Sequence, residues 1–267
     1  MVFVPQRIKI LKFVAEQGVV TLDDVARHLG KFNQIFAVRS ALYDCGLTHT
    51  KFGDVRQGIW FIQNPKLLRQ IKHCYFPYIP SFEAGRPRLY LVDHALVLNR
   101  IRTTLEQTNR LIIDQWWSEN YIRALPSLLG SEGIAKIPDA IFYRQRTDGS
   151  KQIFYLEYER TFKNIERYKE IFRFYANRRD VKNKNVIYLC QDTSLKVKLE
   201  ELEARFAKIG ELDGAGLYFQ FIALDDFYKT YLTTNQHKEE RNGQSQKFIQ
   251  TTNASMLSVS GGTIAGL

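Results

Sequence analysis

The chain has 267 residues, 45% of them hydrophobic, and carries 38 Lys and Arg against 28 Asp and Glu for a formal net charge of +10. That length allows two modest domains with cores of their own, the composition excludes wholesale disorder, and no run of about 18 apolar residues is present to cross a membrane. The positive charge is uneven: residues 1–78 hold 11 basic against 5 acidic side chains and residues 79–235 hold 24 against 21, which points to a polyanionic partner for the N-terminal part.

Residues 5–17 place Ile8, Leu11 and Val14 at helical spacing, and Gly18 ends that helix. In TLDD, Thr21 and Asp24 stand in capping-box register ahead of Val25 and Leu29, so a second helix starts there and stops at Gly30. A third helix is expected from Gln34 to Asp44 with Ile35, Val38 and Leu42 on one face, and LTHTKFGDVRQGIWFI reads as two strands around a glycine-containing hairpin. Three short helices and a hairpin predict a winged helix-turn-helix domain over residues 1–75. Such a domain sets its third helix in the major groove and its hairpin against phosphates. Lys31, Asn33, Gln34, Arg39 and Ser40, with Lys51 and Arg56 on the hairpin, are therefore the expected DNA contacts. A protein-binding winged helix with a merely solvated charged face is the competing reading, and the local excess of positive charge favours DNA.

Pro77, Pro80, Gly85 and Pro87 predict a linker over residues 76–91. Residues 92–234 then alternate: a helix at about 93–107, the strands LIIDQWW, IPDAIFYRQ and KQIFYLEYER, a helix from Lys163 to Arg178, the strand NVIYLCQ, a helix at 194–208 and the strand LYFQFIAL. This is an αβββαβ core with an added αβ unit, so the chain as a whole is of the α+β class. Residues 235–267, rich in Gln, Asn, Ser, Thr and Gly, read as a flexible tail. Cys45, Cys74 and Cys190 are too far apart to form a zinc motif and read as reduced. With charges in MVFVPQRIKILKF where a secretory segment needs an apolar run, a cytoplasmic location is expected.

The chemistry lies in the acids. A strand's period of two puts Glu157 and Glu159 on one face of YLEYER and Phe154, Leu156 and Tyr158 on the other, and a hairpin around RTDGSK brings Asp139 toward Glu157. Three acids on adjacent strands repel unless a cation lies among them. Hard oxygen donors suit Mg2+ or Mn2+, which activates water and stabilises charge on a phosphate. Asp139, Glu157 and Glu159 are thus the expected metal ligands and, with Lys169 from the following helix as the cation on the phosphate, the expected catalytic set. The bland alternative is an exposed strand end with ordinary salt bridges. His94, at the predicted helix start, reads more readily as a capping or packing residue than a proton carrier, Glu119 competes with Asp114 and Glu106 as a further ligand, and the Trp116–Trp117 pair reads as core.

Pro138-Asp139 followed by Glu157-Tyr158-Glu159 resembles the PD-(D/E)XK nuclease signature, with Glu159 standing where that signature has lysine. The wider order of a winged helix, IPDAIF, FYLEYERT and a lysine-bearing helix is similar to plasmid replication-relaxation proteins and, more narrowly, resembles the MobC-type relaxases of mobilisable plasmids over about residues 1–225. The resemblance implies a restriction-endonuclease-like α/β domain at 92–234, binding to a plasmid transfer origin, strand-specific nicking there, and work with relaxosome accessory proteins and a coupling protein. A non-catalytic relaxosome or replication accessory protein and a winged-helix transcriptional regulator are the alternative functions.

Overall fold

The fold was obtained as a computed structural model, which describes residues 4–52, 55–75, 87, 89–107, 115–124, 136–145, 149–177, 184–210, 212 and 216–231. The expected tail at 235–267, most of the expected linker, the 53–54 hairpin tip and the first part of LIIDQWW, Asp114 included, lie outside the described residues. The architecture is mixed α and β.

The first unit runs α1 (Val4–Gln17), β1 (Val19–Val20), α2 (Leu22–His28), α3 (Ile35–Asp44), β2 (Thr48–Phe52), β3 (Val55–Phe61) and α4 (Pro65–Tyr75), with a single 3-10 turn at Phe32–Gln34. Its strands form an antiparallel sheet in the order β1-β3-β2. The capping box is present: Thr21 accepts from Asp24 N at 3.1 Å and Asp24 accepts from Thr21 N at 2.8 Å, closing two of the open donors at the start of α2. Val14, Val25, Val38, Leu42 and Trp60 fill the core. Sequence periodicity did not indicate α4, although Asn64, which accepts from Lys66 N at 2.9 Å, and Pro65 behind it are a helix-start signal. Its Leu68 and Ile71 join the same core.

The second unit comprises α5 (Leu89–Gln107), β4 (Trp116–Ser118), α6 (Glu119–Ala124), β5 (Ala140–Gln145), β6 (Lys151–Glu159), α7 (Ile165–Asn177), β7 (Lys184–Cys190), α8 (Thr193–Lys208), β8 (Leu217–Ala223) and a last helix, α9, at 224–231. Five strands lie in the order β4-β5-β6-β7-β8. β4, β5 and β6 pair antiparallel, whereas β6, β7 and β8 are parallel and joined through α7 and α8. One face packs Tyr155, Val186 and Phe221 under Tyr168, Phe172 and Tyr175 of α7 and Leu199 of α8. The other packs Leu156, Tyr158 and Leu189 under Leu98, Ile101 and Leu105 of α5 and Phe227 of α9. β7 is buried from both sides, which is why NVIYLC is a continuous apolar run.

α5 also joins the two units. It begins at Leu89, four residues before the expected start, so His94 stands within the helix and not at its cap. Val92 packs with Val19 and Ile59, and Asn99 donates to the Val19 carbonyl at 2.7 Å. Arg102, 3% exposed, lies 2.7 Å from Glu16 of α1 and 2.9 Å from Glu106, which in turn meets His28 of α2 at 2.9 Å. Among the described residues, no helix is long and apolar enough to cross a membrane.

Candidate functional site

Register builds the site. β5 and β6 pair Ala140 with Leu156, so Asp139 arrives beside the last residues of β6. Its backbone N donates to the Leu156 carbonyl at 3.0 Å, and its Oδ2 accepts from Tyr158 N at 2.7 Å. Asp139 and Glu157 thus meet at the C-terminal ends of the parallel strands β6 and β7, where open sheets form ligand crevices. Glu157 and Glu159 are 4% and 5% exposed, which removes the reading of an exposed strand end. The expected division of the strand holds, with Tyr158 and Leu156 packed toward α5 and Glu157 reaching Tyr175 on α7.

Each acid has its own partner. Lys136 Nζ lies 2.9 Å from Glu157 Oε2, and the Tyr175 hydroxyl donates to Glu157 Oε1 at 2.5 Å. Asp139 Oδ1 lies 3.3 Å from His94 Nε2, whose ring is 5.2 Å from that of Tyr158, and the Tyr158 hydroxyl donates to Gln191 beyond β7. Glu159 pairs with Lys163. Among the described residues, no three His, Cys, Asp or Glu side chains group closely enough to hold a metal ion, so the expected three-carboxylate set of Asp139, Glu157 and Glu159 is not assembled. A full strand repeat, roughly 7 Å, separates Glu157 from Glu159, and a different lysine draws each aside. Lys169 is half-buried on α7, but the ammonium bonded to Glu157 belongs to Lys136. Sequence reasoning passed over Lys136 because it precedes Pro138 outside any periodic segment; proximity to the Pro-Asp pair was the only signal.

The electrostatics are unequal. Burial pushes the Glu157 carboxyl up to about 7, against the pull of Lys136 and with the help of the Asp139 charge. Burial also opposes ionisation of Asp139, but His94, Lys136 and the Tyr158 N–H outweigh it and its affinity for protons falls. Lys136 would lose its proton more readily through burial alone, yet Glu157 and Asp139 raise its pKa. His94 is likewise raised, its burial more than offset by Asp139. At neutral pH the site holds a firm anion in Asp139, a firm cation in Lys136 and, between them, a carboxyl balanced between its two forms. Asp139 and Glu157 are hard oxygen donors of the kind Mg2+ and Mn2+ take, and Mg2+ is commonly held by one or two carboxylates plus water and phosphate. Glu119, at the start of α6, pairs with Arg123 while adding negative potential at His94 and Lys136.

On the first unit, Asn33, Gln34, Arg39 and Ser40 are exposed, and Lys51 is exposed on β2. Lys31 is half-buried and donates to Gln6 at 2.9 Å. The side chain of Arg56, on β3, lies outside the described residues. Comparison of the chain with protein-family models, curated proteins and solved structures gives no match.

Proposed function

We propose that the protein binds duplex DNA through residues 1–75 and nicks one strand with the acids at the C-terminal end of the central strand of its five-stranded sheet, acting as a plasmid mobilisation relaxase at a transfer origin. The meeting of Asp139 and Glu157 with the half-buried cation Lys136 carries this reading. The order α1-β1-α2-α3-β2-β3 around a β1-β3-β2 sheet supports a winged helix for the first unit, and α5 followed by β4, β5, β6, α7 and β7 supports a PD-(D/E)XK-like domain for the second. Coupling protein and accessory partners follow from the resemblance to the MobC-type relaxases, and action in the cytoplasm from the charged residues that interrupt the apolar run a secretory segment needs.

Asp139 and Glu157 are the residues that would hold Mg2+ or Mn2+; when bound, such an ion lowers the pKa of water and stabilises charge on phosphate. Lys136 takes the part expected of Lys169, because its ammonium stands at the carboxylate and is available to charge growing on a phosphate oxygen. Water as nucleophile leaves free DNA ends, with no tyrosyl adduct.

Incubation with supercoiled plasmid and Mg2+ or Mn2+ tests the reading. Asp139→Asn and Glu157→Gln should abolish nicking with DNA binding intact, and Lys136→Ala should slow it at least about a hundredfold, more than Lys169→Ala does. Nicking at the wild-type rate by the first two variants would refute the site. The separate pairing of each acid with a basic side chain favours, as second reading, a non-catalytic relaxosome or replication accessory protein, for which the wild type binds DNA and makes no nick under any metal.

A further inference from the structure

The outward side of α3 is led by an aromatic ring. Val38, Ala41 and Leu42 face the core, and opposite them Phe36 is 84% exposed, in line with Ser40 four residues on and Tyr43 seven on. The neighbouring rings have local partners: Tyr43 meets Trp60 edge-on at 4.6 Å, and Arg27 lies 5.4 Å over Phe32. Among the described residues Phe36 stacks on no other ring. Arg39 is exposed on the same helix and Lys51 on β2, whereas Asp23 is held by Arg27 and Asp44 stands at the far end of α3.

We infer that Phe36 reads thymine, its ring lying against the C5-methyl group of that base in the major groove while the flanking cations hold phosphates. The inference rests on the proposed DNA binding by residues 1–75 and adds a base preference to it. The ring has neither donor nor acceptor, and the thymine methyl is the one apolar group that a base edge presents in that groove. Charge complementarity selects the occupant: a single exposed ring on a helix that also exposes Arg39 suits a methyl-bearing groove between two rows of phosphate better than an apolar protein surface.

The test is selection of bound sites from a randomised duplex library by the full chain, by Phe36→Ala and by Phe36→Leu. Phe36 is exposed, so neither substitution opens a cavity. The wild type should enrich sites with a fixed thymine, and deoxyuridine at that position should weaken binding about fourfold, the worth of one buried methyl. Phe36→Ala should bind the same site more weakly and treat thymine and deoxyuridine alike, and Phe36→Leu should keep part of the preference. A wild-type thymine-to-deoxyuridine ratio in Phe36→Ala overturns the assignment and leaves DNA binding by the first unit standing. Unchanged DNA selection by Phe36→Ala, together with loss of a self-association seen in the wild type, gives Phe36 to a contact between copies and overturns it equally. Retention of no DNA by the wild type overturns the underlying reading as well.

Discussion

Glu157 stays protonated to about pH 7 in the folded chain because neither Lys136 at 2.9 Å nor the Tyr175 hydroxyl repays the loss of water around a buried carboxylate. Its ordinary value is 4.5, so between 4.5 and about 7 the folded state binds more proton than the unfolded one. Stability from this group is therefore greatest at low pH and falls as pH rises through that window. Glu157→Gln should flatten the dependence: between about pH 5 and about pH 8 the wild type should lose on the order of 2–3 kcal/mol more than the variant in urea unfolding. Equal slopes would show that Glu157 is ionised throughout. That Glu157 and Asp139 belong together was readable from strand parity and the Pro-Asp pair. Their partners were not, because Lys136, His94 and Tyr175 come from a loop and two helices whose docking no local pattern records.

The elements with strong local signals lie close to where the sequence put them. Thr21 and Asp24 cap α2, Gly30 follows it at φ 65°, and β5, β6, β7 and β8 begin and end within a few residues of their apolar runs. β1 escaped notice because two residues carry no periodicity, and α9 because it continues directly from β8. The hairpin holds a further constraint. Gly58 has φ 66°, and a Cβ there would stand 2.5 Å from His49 Nε2 and 2.7 Å from the Thr50 carbonyl on β2. Gly149 has φ 80° with nothing within 4 Å. Gly149→Ala should therefore cost only the backbone strain, roughly 1–2 kcal/mol, whereas Gly58→Ala should cost more, since the carbonyl cannot swing away without breaking the β2–β3 pairing. Thermal denaturation of the two variants checks the order, and an equal loss would mean that the hairpin yields freely at Gly58. In the proposed function the hairpin carries Lys51, so Gly58→Ala should also weaken DNA binding while Gly149→Ala does not.

At the scale of the whole molecule, α5, which begins at the end of the expected linker at 76–91, packs against both units. It covers one face of the five-stranded sheet with Leu98, Ile101 and Leu105 and meets β1 and β3 through Val92. The contacts across this junction, Arg102 with Glu16 and Glu106 with His28, join residues 86 and 78 positions apart, a separation at which sequence pattern is silent. Arg102 is 3% exposed, stacks over Phe13 at 5.0 Å and is bonded to two carboxylates, Glu106 on its own helix and Glu16 on α1, so the second partner is present only while both units are in place. Removing one member of such a cluster strands the others without water, at a cost of about 3–5 kcal/mol, whereas replacing all members by neutral groups of similar size costs far less. Arg102→Met should therefore lower stability by about that amount, and the triple variant with Glu16→Gln and Glu106→Gln should recover most of it. Calorimetry adds a second readout: with α5 in both cores the wild type should unfold in one transition, and Arg102→Met should broaden it or split it in two as the first unit loosens from the sheet. Two separate transitions in the wild type would mean that each unit keeps its own fold without the other, and the spacing between any DNA contact on α3 and the acids at Asp139 and Glu157 would then not be fixed by this junction.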